Sequence, residues 1–507
     1  MAAMKTLRQL LEGISYLSSQ KGELEVAVTG VSCDTRTLER GNLFVAVSGM
    51  DRDGHVFIPD AIRRGAFAIV SERFHPEANH MNLPQFVVSS TRAVLPKIAR
   101  AAFGDPAQRL KLIGVTGTNG KTTTAFLIQH LLNLKKCTGL IGTIYCDDGQ
   151  RKGPLTNTTP GPIELNQLFA RMVEHGVSVC VMEVSSHALD QERVDGLIFS
   201  HTVFTNLTQD HLDYHRDMEH YYQAKRKLFI REPAPERSVV NCDDAYGVRL
   251  ADELERNRVT SYGFQSHCDI RAEHVVAHLD AVEFDLVQRG ERLHAEVPLG
   301  LTYNVSNILA AVAVTSEAGI SCGEAIRRLQ SFPGVPGRME KIDEGQDFLV
   351  YVDYAHTPDA LEQVLLSSTK ACKNRLVCVF GCGGNRDRGK RPLMGRIAAR
   401  YCALVILTSD NPRNEDPMEI CQEMRQGINQ ERCRPEIVVE VDRERAIRRA
   451  ITEARRGDLV FIFGKGHEDV QIIGDRKLPF RDQDIARSYS KRRCLPFKIS
   501  PEFAAER

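Results

Sequence analysis

The sequence of 507 residues has no net charge, because Lys and Arg together number 66 and so do Asp and Glu. A chain without an overall positive field has no general attraction for nucleic acid or for an anionic membrane. Any polyanion that it binds is therefore small and held by a local site. We predict small-molecule partners, no nucleic acid and no membrane insertion.

Long apolar runs and paired cysteines are also missing. No run of about 18 or more apolar residues could span a membrane, and the start, MAAMKTLRQLLEGISYL, has an amphipathic helix pattern with internal charges rather than the pattern of a signal peptide. The 14 cysteines form no CxxC pair and no Cys/His cluster with zinc spacing. We expect a soluble, cytoplasmic protein whose thiols are reduced and mostly buried.

Short repeats and low-complexity segments are absent too, so ordinary folded domains are expected. The chain is longer than one hydrophobic core usually organises, and 42% of its residues are hydrophobic. Changes in pattern predict three domains, at residues 1–107, 108–337 and 338–507. The first ends at the turn FGDPAQRL, and the second ends at the Pro/Gly-rich stretch SFPGVPGR.

Each segment has an α/β pattern. The first mixes short β-like runs (NLFVAVSG, FAIVSE, QFVVSS) with helical stretches, which predicts a small α/β domain. In the second, apolar strands such as KLIGVTG and VSVCVMEV alternate with helices, which predicts a mainly parallel sheet covered on both faces. The third has four buried-looking strands, FLVYVDYAH, RLVCVFGCGG, ALVILTSDNPR and DLVFIFGKGHE, and is predicted to be Rossmann-like.

Each of these four strands ends in a polar or glycine-rich cluster. In open α/β sheets, ligands bind in the crevice outside the carboxyl ends of the strands. One such cluster is as easily an ordinary turn, but four in succession predict a binding edge. The clusters carry His356, Arg386, Asp410, Arg413, His467 and Glu468.

The strongest single motif is GVTGTNGKTTT at 114–124, which follows an apolar strand and opens a helical pattern. In that context backbone N–H groups and the helix N-terminus hold phosphate oxygens. Lys121 is predicted to reach the terminal phosphates of ATP and Thr122 to reach Mg²⁺. Glu183, at the end of VCVMEV, is placed to supply a metal ligand. The match to the P-loop pattern is imperfect, because Val115 stands where that pattern has glycine.

Ten motifs occur in an order that is typical of one family. They are GTNGKTTT at 117–124, MEVSSHAL at 182–189, NLTQDHLDYH at 206–215, AKRKLF at 224–229, NVSN at 304–307, PGRME at 336–340, DYAHTPDAL at 353–361, GCGGNRDRGKRP at 381–392, SDNPR at 409–413 and GKGHE at 464–468. From about residue 30 to 485 the chain resembles the Mur ligases, and within them the MurE type. The resemblance implies an ATP-dependent amide bond, made through an acyl phosphate, between UDP-N-acetylmuramoyl-L-Ala-D-Glu and meso-diaminopimelate.

The resemblance also implies the catalytic residues Lys121, Glu183, His211 and Lys225. Both reactants are anionic, so the chemistry needs positive charge and positioning rather than a protein nucleophile. Spacing alone would make Lys225 a solvated helix residue. The resemblance implies instead that CO2 carbamylates Lys225, so that Thr122, Glu183, His211 and the carbamate surround Mg²⁺. Such a role needs an amine that its surroundings deprotonate.

Three substrate-binding sets follow from the resemblance. For ATP they are Gly117, Thr118, Asn119, Gly120, Lys121, Thr122, Thr123, Asn304, Arg338 and Asp353. For the UDP-linked precursor they are Cys33, Thr35, Asn157, Thr158, Thr159, Ser185, Gln191 and Arg193, with Met50 to Arg52 nearby. For diaminopimelate they are Arg386, Asp410, Asn411, Pro412, Arg413, Gly464 and Glu468.

Substrate choice depends mainly on Arg413 and Arg386. Meso-diaminopimelate differs from lysine by a second amino-acid head, whose carboxylate a planar guanidinium can bind with two hydrogen bonds. Three alternatives stay open: a lysine-adding Mur ligase, a ligase like folylpolyglutamate synthetase, and a nucleotide-binding scaffold without catalysis. No G-x-G-x-x-G opens the first segment, which argues against a Rossmann-type first domain. We expect a monomer.

Overall fold

The structure is a computed structural model that describes residues 4–20, 24–49, 52–432 and 435–494. Met50 and Asp51, two of the weaker predicted contacts of the UDP-linked precursor, lie outside the described residues. Three large sheets occupy successive stretches of the chain, and helices cover them. The predicted α/β class with three sheet-based units is confirmed.

The first sheet has the strand order β2-β7-β6-β5-β4, with β2 antiparallel to β7 and the other neighbours parallel. The predicted strands are β5, β6 and β7. The predicted amphipathic helix at the start is much shorter than expected, because Thr6 is extended and caps the helix through its side chain. The elements are β1 (Lys5–Thr6), α1 (Leu7–Leu11), β2 (Ser18–Gln20), β3 (Ala27–Val28), β4 (Gly30–Ser32), β5 (Asn42–Val45), α2 (Ile58–Arg63), β6 (Ala68–Ser71), α3 (Pro76–His80), β7 (Gln85–Val87) and α4 (Thr91–Phe103).

The central sheet has eleven strands in the order β11-β10-β9-β12-β8-β13-β14-β15-β16-β17-β18. The seven strands from β9 to β16 in that order run parallel, and antiparallel strands flank them on both sides. Its elements are β8 (Lys111–Thr116), α5 (Lys121–Leu132), β9 (Thr138–Ile141), β10 (Cys146–Asp147), β11 (Lys152–Gly153), α6 (Pro162–Glu174), β12 (Val179–Glu183), α7 (Ser186–Asp190), β13 (Phe199–Phe204), α8 (Leu212–His215), α9 (Met218–Arg226), β14 (Arg237–Asn241), α10 (Ala245–Glu253), β15 (Val259–Gly263), β16 (Ile270–Ala277), β17 (Val282–Gln288), β18 (Glu291–Val297), α11 (Thr302–Glu317) and α12 (Cys322–Leu329).

Two apolar cores lie on the two faces of this sheet. Helices α5 and α11 pack on one face, where Leu127 and Leu309 are fully buried, and α6 and α9 pack on the other, where Phe169 and Tyr222 are fully buried. A parallel sheet must be covered in this way because its connections run as helices across the faces. The predicted mainly parallel sheet is therefore confirmed.

The third sheet has the order β19-β20-β24-β21-β22-β23, in which only β19 is antiparallel. The four predicted strands are β20, β21, β22 and β24. They are adjacent and parallel, so their carboxyl ends meet at one edge, as expected. The elements are β19 (Glu340–Ile342), β20 (Leu349–Asp353), α13 (Pro358–Thr369), β21 (Leu376–Phe380), α14 (Lys390–Tyr401), β22 (Leu404–Leu407), α15 (Pro417–Asn429), β23 (Glu436–Val439), α16 (Arg443–Glu453), β24 (Leu459–Phe463), β25 (Val470–Ile473), β26 (Arg476–Pro479) and α17 (Asp482–Cys494).

Two further findings concern membrane-spanning helices and the cysteines. None of the helices in the described part of the chain combines the length and the apolar composition that a membrane span requires. The twelve cysteines whose side chains the structure describes are free thiols, and seven of them are buried.

Candidate active site

The loop between β8 and α5 is shaped by two glycines. Gly117 has φ +147°, and a Cβ on it would lie 1.8 Å from Thr205 Oγ1. Gly120 has φ +85°, and a Cβ on it would lie 2.4 Å from Asn307 Oδ1. Glycine therefore fits where a side chain would collide. The first backbone N–H groups of α5 have no acceptor within the helix, which makes this helix start suited to phosphate.

Residues after β13 hold the other loop residues in place. Asn119 donates its backbone N–H to Asn206 Oδ1 at 2.9 Å, and the hydroxyl of Thr205 donates to the Asn119 carbonyl at 2.6 Å. The hydroxyl of Thr118 donates to the Thr208 carbonyl at 3.2 Å. The loop is thus preorganised by the neighbouring strand end, as a phosphate cradle requires.

Two lysines meet at this loop, and Lys225 is buried while Lys121 is partly buried. Lys121 Nζ donates to the carbonyls of Gly117 and Thr118 at 2.9 and 2.8 Å, and Lys225 Nζ donates to the same Gly117 carbonyl at 2.7 Å. Lys225 is 1% exposed and its Nζ lies 4.5 Å from the centre of the Tyr221 ring. Burial, and next the charge of Lys121, lower the pKa of Lys225 well below its ordinary value. Burial also lowers the pKa of Lys121.

Glu183 ends β12 and is fully buried. Its Oε1 accepts a hydrogen bond from the Thr143 backbone N–H at 2.8 Å, and its Oε2 accepts from the hydroxyls of Thr122 and Thr143 at 2.9 and 3.0 Å. Arg338 Nη2 lies 3.3 Å from Thr122 Oγ1. A Cβ on Gly142 would lie 2.4 Å from Glu183 Oε1. The site is therefore built closely around this carboxylate.

The hydroxyl of Thr122 and the carboxylate of Glu183 are oxygen donors, which Mg²⁺ prefers. Magnesium usually takes one or two protein carboxylates and completes its shell with phosphate oxygens and water. These residues therefore fit a magnesium–nucleotide site. Within residues 4–20, 24–49, 52–432 and 435–494, no group of three or more His, Cys, Asp or Glu is arranged to hold a metal. His211 and Lys225, the other predicted ligands, contact Asp210 and Gly117 instead of Glu183.

Asp210 joins the site although the sequence analysis did not include it. Its Oδ2 lies 3.4 Å from His211 Nε2 and 3.9 Å from His356 Nε2, and its Oδ1 lies 3.9 Å from Lys390 Nζ. Burial alone would raise the pKa of this carboxyl, but the three basic groups together hold it below its ordinary value. Burial lowers the pKa of His211 to about 3, although Asp210 opposes this. The available signal was the place of Asp210 directly before His211 in NLTQDHLDYH.

Asn304 approaches the loop from α11. Its Nδ2 donates to the Gly300 carbonyl at 2.6 Å, and its Oδ1 accepts from Asn307 Nδ2 at 2.9 Å. Asn307 Oδ1 in turn accepts from the hydroxyl of Thr124, on α5, at 3.2 Å. A polar chain therefore connects the predicted ATP contact Asn304 to the phosphate-loop helix. Thr123, the next predicted contact, lies buried in the first turn of that helix.

Arg338 and Asp353 bring the third sheet to the loop. Asp353 ends β20 and accepts hydrogen bonds from the backbone N–H groups of Met339 and Ala355, both at 2.7 Å. Burial raises the pKa of the Asp353 carboxyl. The guanidinium of Arg338 lies over the Tyr354 ring, 4.3 Å from its centre. Arg338 thus reaches Thr122, and Asp353 holds the backbone of the next residue, Met339.

Four predicted contacts of the UDP-linked precursor form one hydrogen-bonded group next to Glu183. The hydroxyl of Thr159 donates to the Glu183 carbonyl at 2.9 Å and accepts from the Ser185 backbone N–H at 3.0 Å. Arg193 donates through Nη1 to the Thr159 carbonyl at 2.9 Å and through Nη2 to Gln191 Oε1 at 2.7 Å. Four of the predicted residues therefore lie together.

The remaining precursor residues are less closely grouped. Thr158 Oγ1 lies 3.0 Å from Thr143 Oγ1, and Asn157 is exposed. Cys33 and Thr35 lie in the connection between strands β4 and β5 of the first sheet. Cys33 is exposed and Thr35 is buried. A hydrogen bond from Thr35 lowers the pKa of Asp60.

The predicted diaminopimelate contacts lie on the connections that follow β21, β22 and β24. Lys465, which the sequence analysis did not include, is fully buried and donates to Asn411 Oδ1 at 3.1 Å and to Glu468 Oε2 at 2.8 Å. Asn411 Nδ2 also donates to Glu468 Oε2, at 2.8 Å. A Cβ on Gly464 would lie 2.6 Å from Asp410 Oδ2. Adjacent strand ends therefore bring these residues together.

Arg413 and Arg386 flank one loop of this edge. Arg413 has φ +51° and donates through Nη1 to the Gly384 carbonyl at 2.8 Å. Burial, and next the charge of Arg386, lower the pKa of Arg413. A Cβ on Gly383 would lie 3.0 Å from Arg413 Nη1 and 3.6 Å from Arg386 Cγ, and a Cβ on Gly384 would lie 1.9 Å from the Pro412 carbonyl oxygen. The side chains of Arg413 and Arg386 therefore both lie beside the Gly383–Gly384 turn.

Comparison with known proteins identifies the family. Three family models match the chain: Mur ligase family, catalytic domain, at 27–103; Mur ligase middle domain at 115–315; and Mur ligase, glutamate ligase domain, at 337–466. A UDP-N-acetylmuramoyl-L-alanyl-D-glutamate--2,6-diaminopimelate ligase of Gloeobacter violaceus is 45% identical over 471 residues, which cover 92% of this chain and 95% of that one. A ligase of the same name from Clostridium tetani is 40% identical over 483 residues, which cover 94% and 98%.

Solved structures agree with this assignment. A ligase of that same name superposes with a TM-score of 0.65 and 32% identity, covering 97% of this chain and all of the other. Folylpolyglutamate synthase of Mycobacterium tuberculosis superposes with a TM-score of 0.61 but is 17% identical and covers 74% of this chain, so it shows the fold alone. On the family models and the long matches at 40% and 45% identity, the chain belongs to the Mur ligase family.

Proposed function

We propose that this chain is an ATP-dependent ligase that adds meso-diaminopimelate to the D-Glu residue of UDP-N-acetylmuramoyl-L-Ala-D-Glu and releases ADP and phosphate. The observation that carries the proposal is the meeting of Lys121, Lys225, Thr122 and Glu183 at the carboxyl ends of β8 and β12. The names of the relatives at 40% and 45% identity support the choice of substrates.

The reaction has two bond-forming steps. A carboxylate oxygen of D-Glu attacks the γ-phosphorus of ATP, the bond from that phosphorus to the β–γ bridging oxygen breaks, and ADP leaves with the electron pair. The amine nitrogen of diaminopimelate then attacks the acyl carbon, the bond to the phosphate oxygen breaks, and phosphate leaves while the amine loses its proton to solvent. Correct orientation of the reactants contributes on the order of 7 to 11 kcal/mol.

The residues around the loop suppress the repulsion between the anionic reactants. Lys121 and the N-terminus of α5 would face the phosphate oxygens of ATP, and Arg338, which precedes β19, adds a positive charge beside Thr122. When bound by Thr122 and Glu183, Mg²⁺ would neutralise phosphate charge. Thr143 holds Glu183 in place with two hydrogen bonds.

Carbamylation of Lys225 is part of the proposal. Its neutral amine would add to the carbon of CO2 and lose a proton, leaving an anion. Burial that lowers the pKa of Lys225 favours the neutral amine, and the neighbouring Lys121 offers the new anion a positive partner. Burial lowers the pKa of His211 to about 3, which favours the neutral imidazole that a metal would need.

The other two substrates are assigned to the two remaining sets of predicted binding residues. Thr159, Ser185, Gln191 and Arg193 are assigned to the muramoyl dipeptide, with Cys33 and Thr35 on the uridine side. Arg413 and Arg386 are assigned to the distal carboxylate of diaminopimelate and Glu468 to its ammonium. We further propose domain boundaries at 107 and 337, a cytoplasmic enzyme, and a monomer.

Phosphate release from ATP tests this function. The purified protein is incubated with UDP-N-acetylmuramoyl-L-Ala-D-Glu and with meso-diaminopimelate, L-lysine or no amino acid. We expect release only with meso-diaminopimelate and a matching gain in product mass. Release with lysine alone would retain the ligase and reject the assignment of Arg413. No release with either amine would reject the proposed reaction and favour a nucleotide-binding scaffold.

A further inference from the structure

Arg391, the second residue of α14, is fully buried, and its side chain contacts three segments near the diaminopimelate residues. Its Nη1 donates to Glu415 Oε2 and to Glu423 Oε2, both at 2.9 Å. Its Nη2 donates to Glu415 Oε1 at 3.0 Å and to the Gly383 carbonyl at 3.2 Å. One guanidinium therefore joins the loop after β21, the loop after β22 and helix α15.

The two loops joined in this way are those that present Arg413. On one side, Gly384 accepts from Arg413 Nη1 at 2.8 Å and donates its own N–H to the Asn411 carbonyl at 3.0 Å. On the other side, Glu415 stands two residues after Arg413 and donates its N–H to the Pro412 carbonyl at 3.1 Å. The distance between the loops therefore determines where the guanidinium of Arg413 lies.

The ion pairs of Arg391 account for the positions of the two loops better than for a gain in folding stability. A buried salt bridge loses much of its Coulomb energy to desolvation, and apolar replacements of similar volume are often as stable. Within the part of the chain that the structure describes, Arg391 Nε has no hydrogen-bond partner, which adds to the cost of burial. What an apolar residue could not do is hold Glu415 and the Gly383 carbonyl at fixed positions.

We propose that Arg391 is a positioning residue for the amino-acid substrate. By holding the Gly383–Gly384 turn and Glu415 together, it fixes the guanidinium of Arg413 where the distal carboxylate of diaminopimelate binds. It thereby contributes to the preference for diaminopimelate over lysine. This inference rests on the proposed function, and it concerns a residue that does not touch the substrate itself.

The test is steady-state kinetics of Arg391→Met with each amine. We expect the KM for meso-diaminopimelate to rise about 10- to 100-fold, while the KM values for ATP and the UDP-linked precursor stay unchanged. The ratio of kcat/KM for diaminopimelate to kcat/KM for lysine should fall toward the value that this ratio has in the Arg413→Ala variant. A purely structural role would reduce the amount of active enzyme, and so kcat with both amines, without moving KM or this ratio.

Two further variants keep the test decisive. Arg388→Ala is the matched control, because the Arg388 side chain also pairs with Glu423 but does not bridge the Gly383 carbonyl to Glu415 as Arg391 does, and the KM for diaminopimelate should stay unchanged. If Arg391→Met does not fold, Glu415→Gln removes the same ion pair from the loop side and should raise the same KM. Wild-type enzyme that is active with diaminopimelate, with unaltered KM and ratio in both variants, would overturn the inference. Inactive wild-type enzyme would overturn the proposed function instead.

Discussion

At the residue scale, Lys225 and Lys227 stand two positions apart but lie in opposite surroundings. Lys225 is 1% exposed beside Lys121, whereas the Lys227 side chain is 48% exposed and pairs with Asp190 at 3.1 Å. We expect turnover of Lys225→Ala to fall about 100-fold or more, because the proposed carbamate would be missing from the phosphate loop. Added acetate or formate should restore part of the lost turnover, because its carboxylate can take the place of the carbamate. Phosphate release with and without these anions is the measurement.

Lys227→Ala provides the comparison for this experiment. Its ammonium is in solvent, where an ion pair contributes little, so turnover should stay near the wild-type value. Two results would count against a carbamate at Lys225. One is unchanged turnover in Lys225→Ala, and the other is a loss that no small carboxylate restores.

At the scale of elements, the β8–loop–α5 unit depends on Gly117. An alanine there would adopt an unfavourable φ near +147° and would place its Cβ 1.8 Å from Thr205 Oγ1, so the loop must move. We expect Gly117→Ala to bind a non-hydrolysable ATP analogue at least about tenfold more weakly. Titration calorimetry checks the affinity. Gly153→Ala is the control, since Gly153 ends β11 with no atom within 4 Å of an added Cβ. Equal affinity in Gly117→Ala and the wild type would contradict this account of the loop.

The same unit shows which elements the sequence could predict. Its apolar strand, glycine loop and helix are local patterns, and the structure has them at β8 and α5. Strands β16 to β18 were not predicted, because they bury one face only and carry charged residues such as Glu273, Asp285 and Arg292 on the other. Strand β23 was missed for a similar reason, since it lies at a sheet edge and is only partly buried.

The site was predicted least well where it depends on contacts between distant segments. The motif residues could be named from the sequence, and the structure groups most of them. Thr143 and Lys390 could not be selected, because each acquires its role from a partner on another element, namely Glu183 for Thr143 and Asp210 for Lys390. Spacing along the chain carries no information about such pairs.

At the scale of the whole molecule, helices of the third unit contact the phosphate loop and the connection that follows β13. Asn119 Nδ2 donates to Asp359 Oδ2, on α13, at 2.9 Å, and Lys390 Nζ lies 3.9 Å from Asp210 Oδ1. In the proposed reaction ATP lies on the central sheet and the amine on the third sheet. The two reactants therefore meet only while these contacts keep the sheets together.

This arrangement predicts the behaviour of Asp359→Ala. Loss of the bond to Asn119 should loosen the third sheet, lower kcat about tenfold through misplacement of the amine, and increase the radius of gyration measured by small-angle X-ray scattering. Asp484→Ala is the control, because Asp484 is exposed and pairs with Arg481 at 3.8 Å within the third unit. Wild-type kcat and scattering in Asp359→Ala would mean that the sheets are held together by other contacts, such as the hydrogen bond from the hydroxyl of Tyr351 to Asp280.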